Sequence, residues 1–180
     1  MKLLIWLGNP WTQYALTRHN AGFLVIDQIV QEHWGKRLQK SFFHGELTEI
    51  IIDGEKVLCL KPMTFMNLSG KSVLAVMQFY HIEAKDCLIL HDEIDFPFAK
   101  LQLKQGGSHA WHNGVKDIYG KCSWSQDFWR LRIGVGRPTH RNIPSPPTPL
   151  PTVTTSSSLG EGRSIADYVL SNFSQQELPI

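Results

Sequence analysis

The sequence of 180 residues predicts a single α/β domain in which helices flank a mixed central β-sheet. Short apolar runs alternate along the chain with segments whose apolar residues recur at helical spacing, and this alternation is typical of α/β proteins. The dipeptide Asp53-Gly54 stands between two apolar runs and predicts a β-hairpin. One domain is expected to extend over residues 1–180.

In the first half of the chain, apolar composition and spacing predict four strands and two helices. The strands are expected at 3–7, 46–52, 57–61 and 87–90. The helices are expected at 21–34 and 69–80, where apolar residues recur every three or four positions. Asn20 precedes the first helix and is its expected N-cap.

The second half of the chain continues the alternation as far as residue 135. Its expected elements are a strand at 99–104, a helix that begins at 115–119 and a strand at 128–135. Arg130 and Arg132 alternate with apolar residues, as in a strand with one basic face. From 142 to 162 the chain is rich in Pro, Thr and Ser and has no periodicity, which predicts a disordered insertion. Order is expected to resume at 165–173.

Composition argues against several classes of protein. No apolar run approaches the ~20 residues that a membrane-spanning helix needs, and the short apolar run at the N-terminus predicts a buried strand rather than a secretory signal. The three cysteines are far apart, which argues against a disulfide framework or a structural zinc site and fits a reducing, cytoplasmic location. They are Cys59, Cys87 and Cys122.

The charge of the chain is unevenly distributed. The whole chain carries a net charge of +2, but eight Lys and Arg face only two Asp between Lys100 and Arg141, a local net charge of +6. Such a segment favours a polyanionic partner, because Lys and Arg neutralise phosphates. The alternative is a solvated surface on which these side chains cover apolar groups.

Residues 104–114 form the most unusual stretch, Lys-Gln-Gly-Gly-Ser-His-Ala-Trp-His-Asn-Gly. Glycine permits positive φ and close backbone approach, while imidazole and carboxamide groups carry protons and bind carbonyls or phosphates. The stretch is therefore a candidate site, with a Gly-rich surface turn as the alternative.

Polar clusters stand at strand ends or helix starts in four places. They are Asn9, His19-Asn20, Asn67 with His91-Asp92, and His112-Asn113. Open α/β sheets bind ligands at such places, so the clusters are expected to meet in one crevice. A His–Asp pair there can take a proton from water, and asparagines can stabilise a developing oxyanion. A metal site built from His109 and His112 with His91 or Asp92 is a weaker alternative.

Six motifs resemble the bacterial peptidyl-tRNA hydrolase family and occur in the family's order. They are Leu7-Gly-Asn-Pro10, Tyr14 with Thr17-Arg-His-Asn-Ala-Gly22, Lys61-Pro-Met-Thr-Phe-Met-Asn-Leu-Ser-Gly70, His91-Asp-Glu-Ile-Asp95, His112-Asn-Gly-Val-Lys-Asp117 and Arg130-Leu-Arg-Ile-Gly-Val-Gly136. The similarity runs from residue 1 to about 138 and resumes at 167–170. It implies a peptidyl-tRNA hydrolase-like fold and hydrolysis of the ester between a stalled peptide and the 3′ ribose of tRNA.

The resemblance also implies roles for individual residues. His19 is expected to be the general base, Asp92 to orient it, and Asn9 to help distinguish N-blocked peptidyl-tRNA from free aminoacyl-tRNA. The residues expected to hold the peptide and the tRNA 3′ end are Tyr14, Phe65, Met66, Asn67 and Asn113. Lys104 and Arg132 match positions that grip tRNA phosphate. No metal or cofactor is expected, and the protein is expected to act on peptidyl-tRNA as a monomer without an obligate protein partner.

The chain departs from the family at several positions. Ser108, Ala110 and Trp111 replace glycines of the family's loop, and Trp11 stands where the family has glycine. A Cβ at a position of positive φ costs about 1 kcal/mol or more. The family's last helices have no counterpart before Ile180, so part of the cover of the site is expected to be missing. A catalytically impaired tRNA- or RNA-binding relative and a poorly folding product are therefore the alternatives to an active hydrolase.

Overall fold

The computed structural model describes residues 1–38, 41–109, 112–122, 128–137 and 168–174, and the predicted insertion at 142–162 lies outside them. These residues form a seven-stranded sheet and three α-helices. The strands are β1 Lys2–Trp6, β2 Lys36–Leu38, β3 Gly45–Ile52, β4 Glu55–Pro62, β5 Cys87–Glu93, β6 Leu101–Gln105 and β7 Trp129–Gly134. The helices are α1 Ala21–Glu32, α2 Ser69–Tyr80 and α3 Asn113–Cys122.

The sheet is mixed, as the sequence predicts, and its strand order is β2-β3-β4-β1-β5-β7-β6. The four central strands β4, β1, β5 and β7 run parallel, while β2, β3 and β6 pair antiparallel with their neighbours. The predicted hairpin is the β3–β4 pair, with Asp53-Gly54 in the left-handed backbone conformation at its turn. The carboxyl ends of the parallel strands therefore meet at one edge, where ligand sites form in sheets of this kind.

The core lies on both faces of the sheet because successive side chains of a strand point to opposite faces. From β1, Leu3 and Ile5 pack with Val73 of α2 and Val115 of α3. Trp6, one residue further, belongs to a second apolar cluster that includes residues of α1. The sheet is thus covered by α2 and α3 on one face and by α1 on the other.

Most elements lie within two residues of their expected bounds, and the clearest differences concern two strands. The short strand β2 was not predicted, because Lys36–Leu38 has neither an apolar run nor a clear alternation. Strand β5 extends past the expected end at residue 90 and includes His91, Asp92 and Glu93, all of which are buried. Pairing with β7 continues to Glu93, so these polar side chains are held in a strand rather than in a loop.

The expectation that Asn20 caps α1 is wrong, although the helix begins at Ala21 as predicted. The Asn20 carboxamide makes no cap hydrogen bond; its oxygen accepts a hydrogen bond from the backbone N–H of Asn9 at 2.7 Å, and its nitrogen donates to the Asn9 carbonyl at 2.8 Å. A side chain that sequence reasoning assigned to local helix geometry instead joins two parts of the chain.

All three cysteines are free. Within the described residues, no helix is long and apolar enough to cross a membrane.

Candidate active site

The site centres on a hydrogen-bonded pair formed by His19 and Asp92. His19 lies in the turn Arg18–Asn20 that leads into α1, and Asp92 lies near the carboxyl end of β5. The His19 Nδ1 and Asp92 Oδ1 atoms are 2.7 Å apart. Only 3% of the Asp92 side chain is exposed, compared with 13% of the His19 side chain, so the imidazole is the member of the pair that solvent and substrate can reach.

A second imidazole binds the same carboxylate oxygen. The His112 Nε2 and Asp92 Oδ1 atoms are 3.0 Å apart. The backbone N–H of Val115 donates to His112 Nδ1 at 3.3 Å, so Nε2 carries the proton and donates to Asp92. Sequence reasoning placed His112 in a polar cluster but not among the site residues. Its position just before α3 was the available signal.

Burial and their mutual contacts shift the pKa values of Asp92, His19 and His112. Burial alone would raise the pKa of Asp92, but the two neighbouring imidazoles hold it well below its ordinary value. Burial opposes protonation of His19, yet the charge and hydrogen bond of Asp92 outweigh this effect and raise the pKa of His19. Burial dominates at His112 and lowers its pKa, so His112 remains a neutral donor. His19 is therefore the more basic of the two imidazoles that contact Asp92.

This arrangement suits His19 for general-base chemistry. With Nδ1 donating to Asp92, the Nε2 atom of His19 has its lone pair available, and it makes no hydrogen bond with any residue that the structure describes. A carboxylate that fixes the tautomer in this way also stabilises the imidazolium that forms when Nε2 takes a proton.

The same three side chains also meet a distance criterion for metal binding. Candidate ligand atoms of His19, Asp92 and His112 lie within 4.8 Å of one another. The imidazole nitrogens that face Asp92 are, however, engaged as hydrogen-bond donors to its Oδ1 atom. A metal there would require both nitrogens to lose their protons, which would break both hydrogen bonds.

Asn9 is held beside His19 by the backbone hydrogen bonds from Asn20. Asn9 is buried, with 9% of its surface exposed, and lies three residues after the end of β1. Close packing brings the two segments together, since a Cβ at Gly22 would lie 3.0 Å from the carbonyl oxygen of Leu7. The structure thus places the expected Asn9 and His19 in one locality.

Arg18 secures the turn that carries His19. Its guanidinium donates to Ser171 Oγ at 2.8 Å and to the Asn172 carbonyl at 2.6 Å. Of the expected return of order at 165–173, residues 165–167 lie outside the described residues, and the described segment 168–174 packs against the turn. A buried cation with several acceptors restrains the backbone on one side of the base.

The residues expected to hold substrate form two groups in the structure. Met66 is buried and packs against the start of α3, where a Cβ at Gly114 would lie 2.6 Å from the Met66 Sδ atom. This contact brings the turn Met66–Leu68, which includes the exposed Asn67, next to the exposed Asn113.

Tyr14 and Phe65 belong to the second group, together with Trp11. The rings of Trp11 and Phe65 have centroids 4.4 Å apart, and the Tyr14 ring is edge-on to Trp11 at 6.4 Å. Sequence reasoning identified Trp11 only as a departure from the family, and the structure places it against an expected substrate residue.

The Gly-rich loop is held by the side chains of Arg130, which is buried, and Tyr119, which is partly buried. The guanidinium of Arg130 donates to the carbonyls of Gly106 and Ser108, each at 2.7 Å, and the Tyr119 hydroxyl donates to the Gly107 carbonyl at 2.5 Å. Three successive carbonyls are therefore satisfied by side chains from β7 and α3.

The loop tolerates Ser108 without backbone strain. Gly106 and Gly107 have φ of 60° and 87°, whereas Ser108 is not among the residues with positive φ, so the expected strain at that position is absent. The other two replaced glycines, Ala110 and Trp111, lie outside the described residues.

The basic segment is partly neutralised in three dimensions. Arg132 donates to Glu93 Oε2 at 2.7 and 3.0 Å, and Arg137 pairs with Asp95 at 2.5 Å. Arg130 is 2% exposed, so the two arginines of β7 do not form the free cationic face that the sequence suggests. Lys104 is exposed and makes no ion pair with a described residue.

Replacing Arg130 by methionine is expected to lower the free energy of unfolding by about 2 kcal/mol, because the carbonyls of Gly106 and Ser108 lose charged donors in a buried setting. Urea unfolding at pH 7.5 measures this loss. Lys116→Met, on the exposed face of α3, is the control and should change stability by less than about 0.5 kcal/mol. Equal midpoints for the two variants would contradict the role of Arg130 in holding the loop.

His91 makes the protein sensitive to acid. Burial, with a smaller contribution from the nearby His112, lowers the pKa of His91 to about 3. Its ordinary pKa is about 6.5, so below that pH the unfolded chain binds a proton that the folded chain does not, and the free energy of unfolding falls by about 1.4 kcal/mol for each pH unit.

His91 Nδ1 contacts the backbone carbonyl of Asp92 at 2.8 Å. The variant His91→Asn retains a hydrogen-bond donor for this carbonyl, but its side chain does not titrate. Urea unfolding of both proteins at pH 7.5 and 5.5 should show a smaller acid loss in the variant, by about 1.4 kcal/mol. The other titrating groups are common to both proteins, so identical losses would contradict the prediction.

The fold and this site together define an α/β protein with a hydrogen-bonded His–Asp pair at the carboxyl edge of the parallel strands of a mixed sheet. Comparison with known proteins then identifies the family. The chain belongs to the peptidyl-tRNA hydrolase family, whose model matches residues 3–146.

Individual relatives agree with this assignment. The chain is 53% identical over 139 residues to peptidyl-tRNA hydrolase of Dichelobacter nodosus, covering 77% of this chain and 72% of the relative. It is 42% identical to the Desulfitobacterium hafniense protein of the same name, covering 100% of this chain and 84% of the relative. The crystal structure of peptidyl-tRNA hydrolase from Acinetobacter baumannii superimposes with a TM-score of 0.79 at 34% identity, covering 98% of this chain and 79% of that chain.

Proposed function

We propose that this protein hydrolyses the ester bond between an N-blocked peptide and the 3′ ribose of tRNA, releasing the tRNA for reuse. The observation that carries the proposal is the orientation of His19, whose Nδ1 is bound to Asp92 while Nε2 has no described partner. Membership of the family supplies the substrate class.

The reaction begins with a water molecule bound to His19 Nε2. His19 removes a proton as the water oxygen attacks the ester carbonyl carbon, and the carbonyl oxygen takes the negative charge of the tetrahedral intermediate. The intermediate collapses with cleavage of the bond to the ribose 3′ oxygen, which receives the proton from the imidazolium. The products are a peptide with a free carboxyl group and a tRNA with a free 3′ hydroxyl.

Asp92 and His112 act on His19 without touching the substrate in this proposal. Asp92 holds the imidazole in the reactive tautomer and stabilises its cationic form, which is consistent with the raised pKa of His19. His112 is a positioning residue, because its hydrogen bond fixes the oxygen atom that His19 also contacts.

The asparagines and the phosphate contacts complete the proposed site. Asn9 is assigned to the blocked peptide, and Asn67 and Asn113 to the reacting end of the substrate, together with Tyr14, Phe65 and Met66. Lys104 is assigned to tRNA phosphate in preference to Arg132, since the Arg132 guanidinium is paired with Glu93 and its side chain is only 15% exposed. A cation already paired with a buried carboxylate gains less from a phosphate than an unpaired one does.

The test is release of tRNA from N-acetylaminoacyl-tRNA, with unblocked aminoacyl-tRNA as the comparison. The proposal expects hydrolysis of the blocked substrate well above the uncatalysed rate and slow hydrolysis of the unblocked one. Binding of tRNA with a steep salt dependence but no hydrolysis would instead identify an RNA-binding relative. Parallel reactions with EDTA separate general-base chemistry from a metal held by His19, Asp92 and His112.

A further inference from the structure

Two exposed aromatic rings form a ledge beside the active site. Trp11 and Phe65 lie with ring centroids 4.4 Å apart and an interplanar angle of 34°. Trp11 is 39% exposed and Phe65 is 59% exposed, so their mutual contact leaves much of both rings accessible. Tyr14 contacts Trp11 edge-on at an angle of 78°, which supports the indole from a second side. We refer to Trp11 and Phe65 as the aromatic ledge.

Both residues of the aromatic ledge are close in the chain to residues of the proposed active site. Trp11 is two residues from Asn9, which is tied to the turn of His19 through Asn20. Phe65 directly precedes Met66, which packs against Gly114 at the start of α3. Each ring is therefore close in the chain to a segment that the proposed function assigns to the substrate, Trp11 to the segment of Asn9 and Phe65 to that of Asn67.

The charge around the aromatic ledge identifies the part of the substrate that fits it. Residues 3–17 and 62–70, which carry the two rings, contain no Lys, Arg, Asp, Glu or His. The exposed Lys104 belongs to β6, at the far edge of the sheet beyond β7. An exposed aromatic surface without nearby charged residues in these segments suits a hydrophobic side chain. The phosphates of tRNA are better bound at the edge of the sheet where Lys104 lies.

We propose that the aromatic ledge is a subsite for the side chain of the esterified amino acid, with preference for large apolar and above all aromatic side chains. This inference rests on the proposed function, since it concerns the peptide of the same substrate. Ring stacking and burial of apolar surface give the preference. Small side chains do not reach the rings, and acidic ones lose hydration there without gaining a partner.

The experiment uses one tRNA charged with N-acetylated phenylalanine, glycine or aspartate, so that only the amino acid differs. The wild-type protein should have a higher kcat/KM for the phenylalanyl than for the glycyl and aspartyl substrates. In Trp11→Gly the ratio of phenylalanyl to glycyl kcat/KM should fall about fivefold to tenfold. Trp11→Phe retains a ring and should recover most of the ratio.

The chain offers a matched control in Trp34. This residue is 93% exposed and has a φ of 51°, a conformation that glycine adopts readily. It lies between α1 and β2, away from the ledge. Trp34→Gly therefore makes the same chemical change elsewhere and should leave all substrate ratios as in the wild type. A ratio that Trp11→Gly does not change would overturn the proposal.

Direct binding separates this inference from the proposed hydrolysis. The probes are adenosine analogues whose 3′ position carries N-acetylphenylalanine or N-acetylglycine through a non-hydrolysable amide, and isothermal titration measures their Kd values. The proposal expects Trp11→Gly to weaken the phenylalanyl probe more than the glycyl probe, whether or not the protein hydrolyses peptidyl-tRNA. Equal weakening of both probes would mean that the ledge stacks on the terminal base, and would overturn the assignment to the amino acid.

Discussion

His19→Ala is expected to lower kcat/KM for hydrolysis of N-acetylaminoacyl-tRNA by about 10²- to 10⁴-fold. The variant removes the Nε2 atom of His19, which the proposal assigns to accept a proton from water. Substrate contacts made by other residues remain, so most of the loss should appear in kcat rather than in KM. Release of tRNA under single-turnover and steady-state conditions measures the two contributions.

The matched control for this variant is His33→Ala, because His33 is an exposed imidazole at the end of α1. Its kcat/KM should equal that of the wild type. Thermal unfolding of both variants verifies that they are folded. Unchanged turnover in His19→Ala would exclude the proposed mechanism, while equal losses in both variants would indicate nonspecific damage.

Asp92→Asn is expected to reduce kcat by about 10²- to 10³-fold and to move the acid limb of the pH–rate profile to lower pH. In the wild type, hydrolysis requires neutral His19, so activity is lost as the pH falls through the raised pKa of His19. The asparagine removes the negative charge that raises this pKa, while the burial that lowers it remains. The imidazole then loses its proton at lower pH but is a weaker base.

Asp53→Asn provides the matched control for the carboxylate. Asp53 is exposed at the β3–β4 turn with a φ of 49°, which asparagine also adopts, so the kinetic profile should not change. Profiles of kcat/KM from pH 5.5 to 9 compare the three proteins. An acid limb at the same pH in the wild type and in Asp92→Asn would contradict the assignment of His19 and Asp92 as a coupled pair.

The Gly-rich loop illustrates how a correct sequence signal can be misassigned. Glycine, histidine and asparagine in 104–114 suggested that the chemistry is located there. The structure instead shows that Gly106 and Gly107 allow a tight backbone whose carbonyls bind Arg130 and Tyr119. The contribution of this loop to the base is indirect, through His112 just before α3.

The basic segment shows the same limitation for charge. Counting along the chain gives +6 between Lys100 and Arg141 because Glu93 and Asp95 fall outside that interval. Parallel pairing of β5 with β7 places Glu93 near Arg132, and the two side chains form an ion pair. Asp95, two residues after Glu93, forms an ion pair with Arg137. Charge that is concentrated in sequence is therefore partly neutralised in space.

The sequence by itself determined the mixed α/β fold, the β3–β4 hairpin and the pairing of His19 with Asp92 as expected site residues. Periodicity and turn residues report on local backbone conformation, and a family resemblance brings known residues with it. The sequence did not determine that Asn20 binds Asn9, that Arg130 supports the Gly-rich loop or that His112 contacts the same Asp92 oxygen as His19.

Only the tertiary structure decided those contacts, because each joins segments that are separated along the chain. His19 and His112 approach Asp92 from positions 73 and 20 residues away, and neither spacing corresponds to a local repeat. The parallel register of β1, β5 and β7 sets where β5 ends relative to the turn before α1 and the start of α3. Two imidazoles that no local pattern connects then converge on one carboxylate oxygen of Asp92, and the buried charge there raises the pKa of His19, as the proposed role of general base requires.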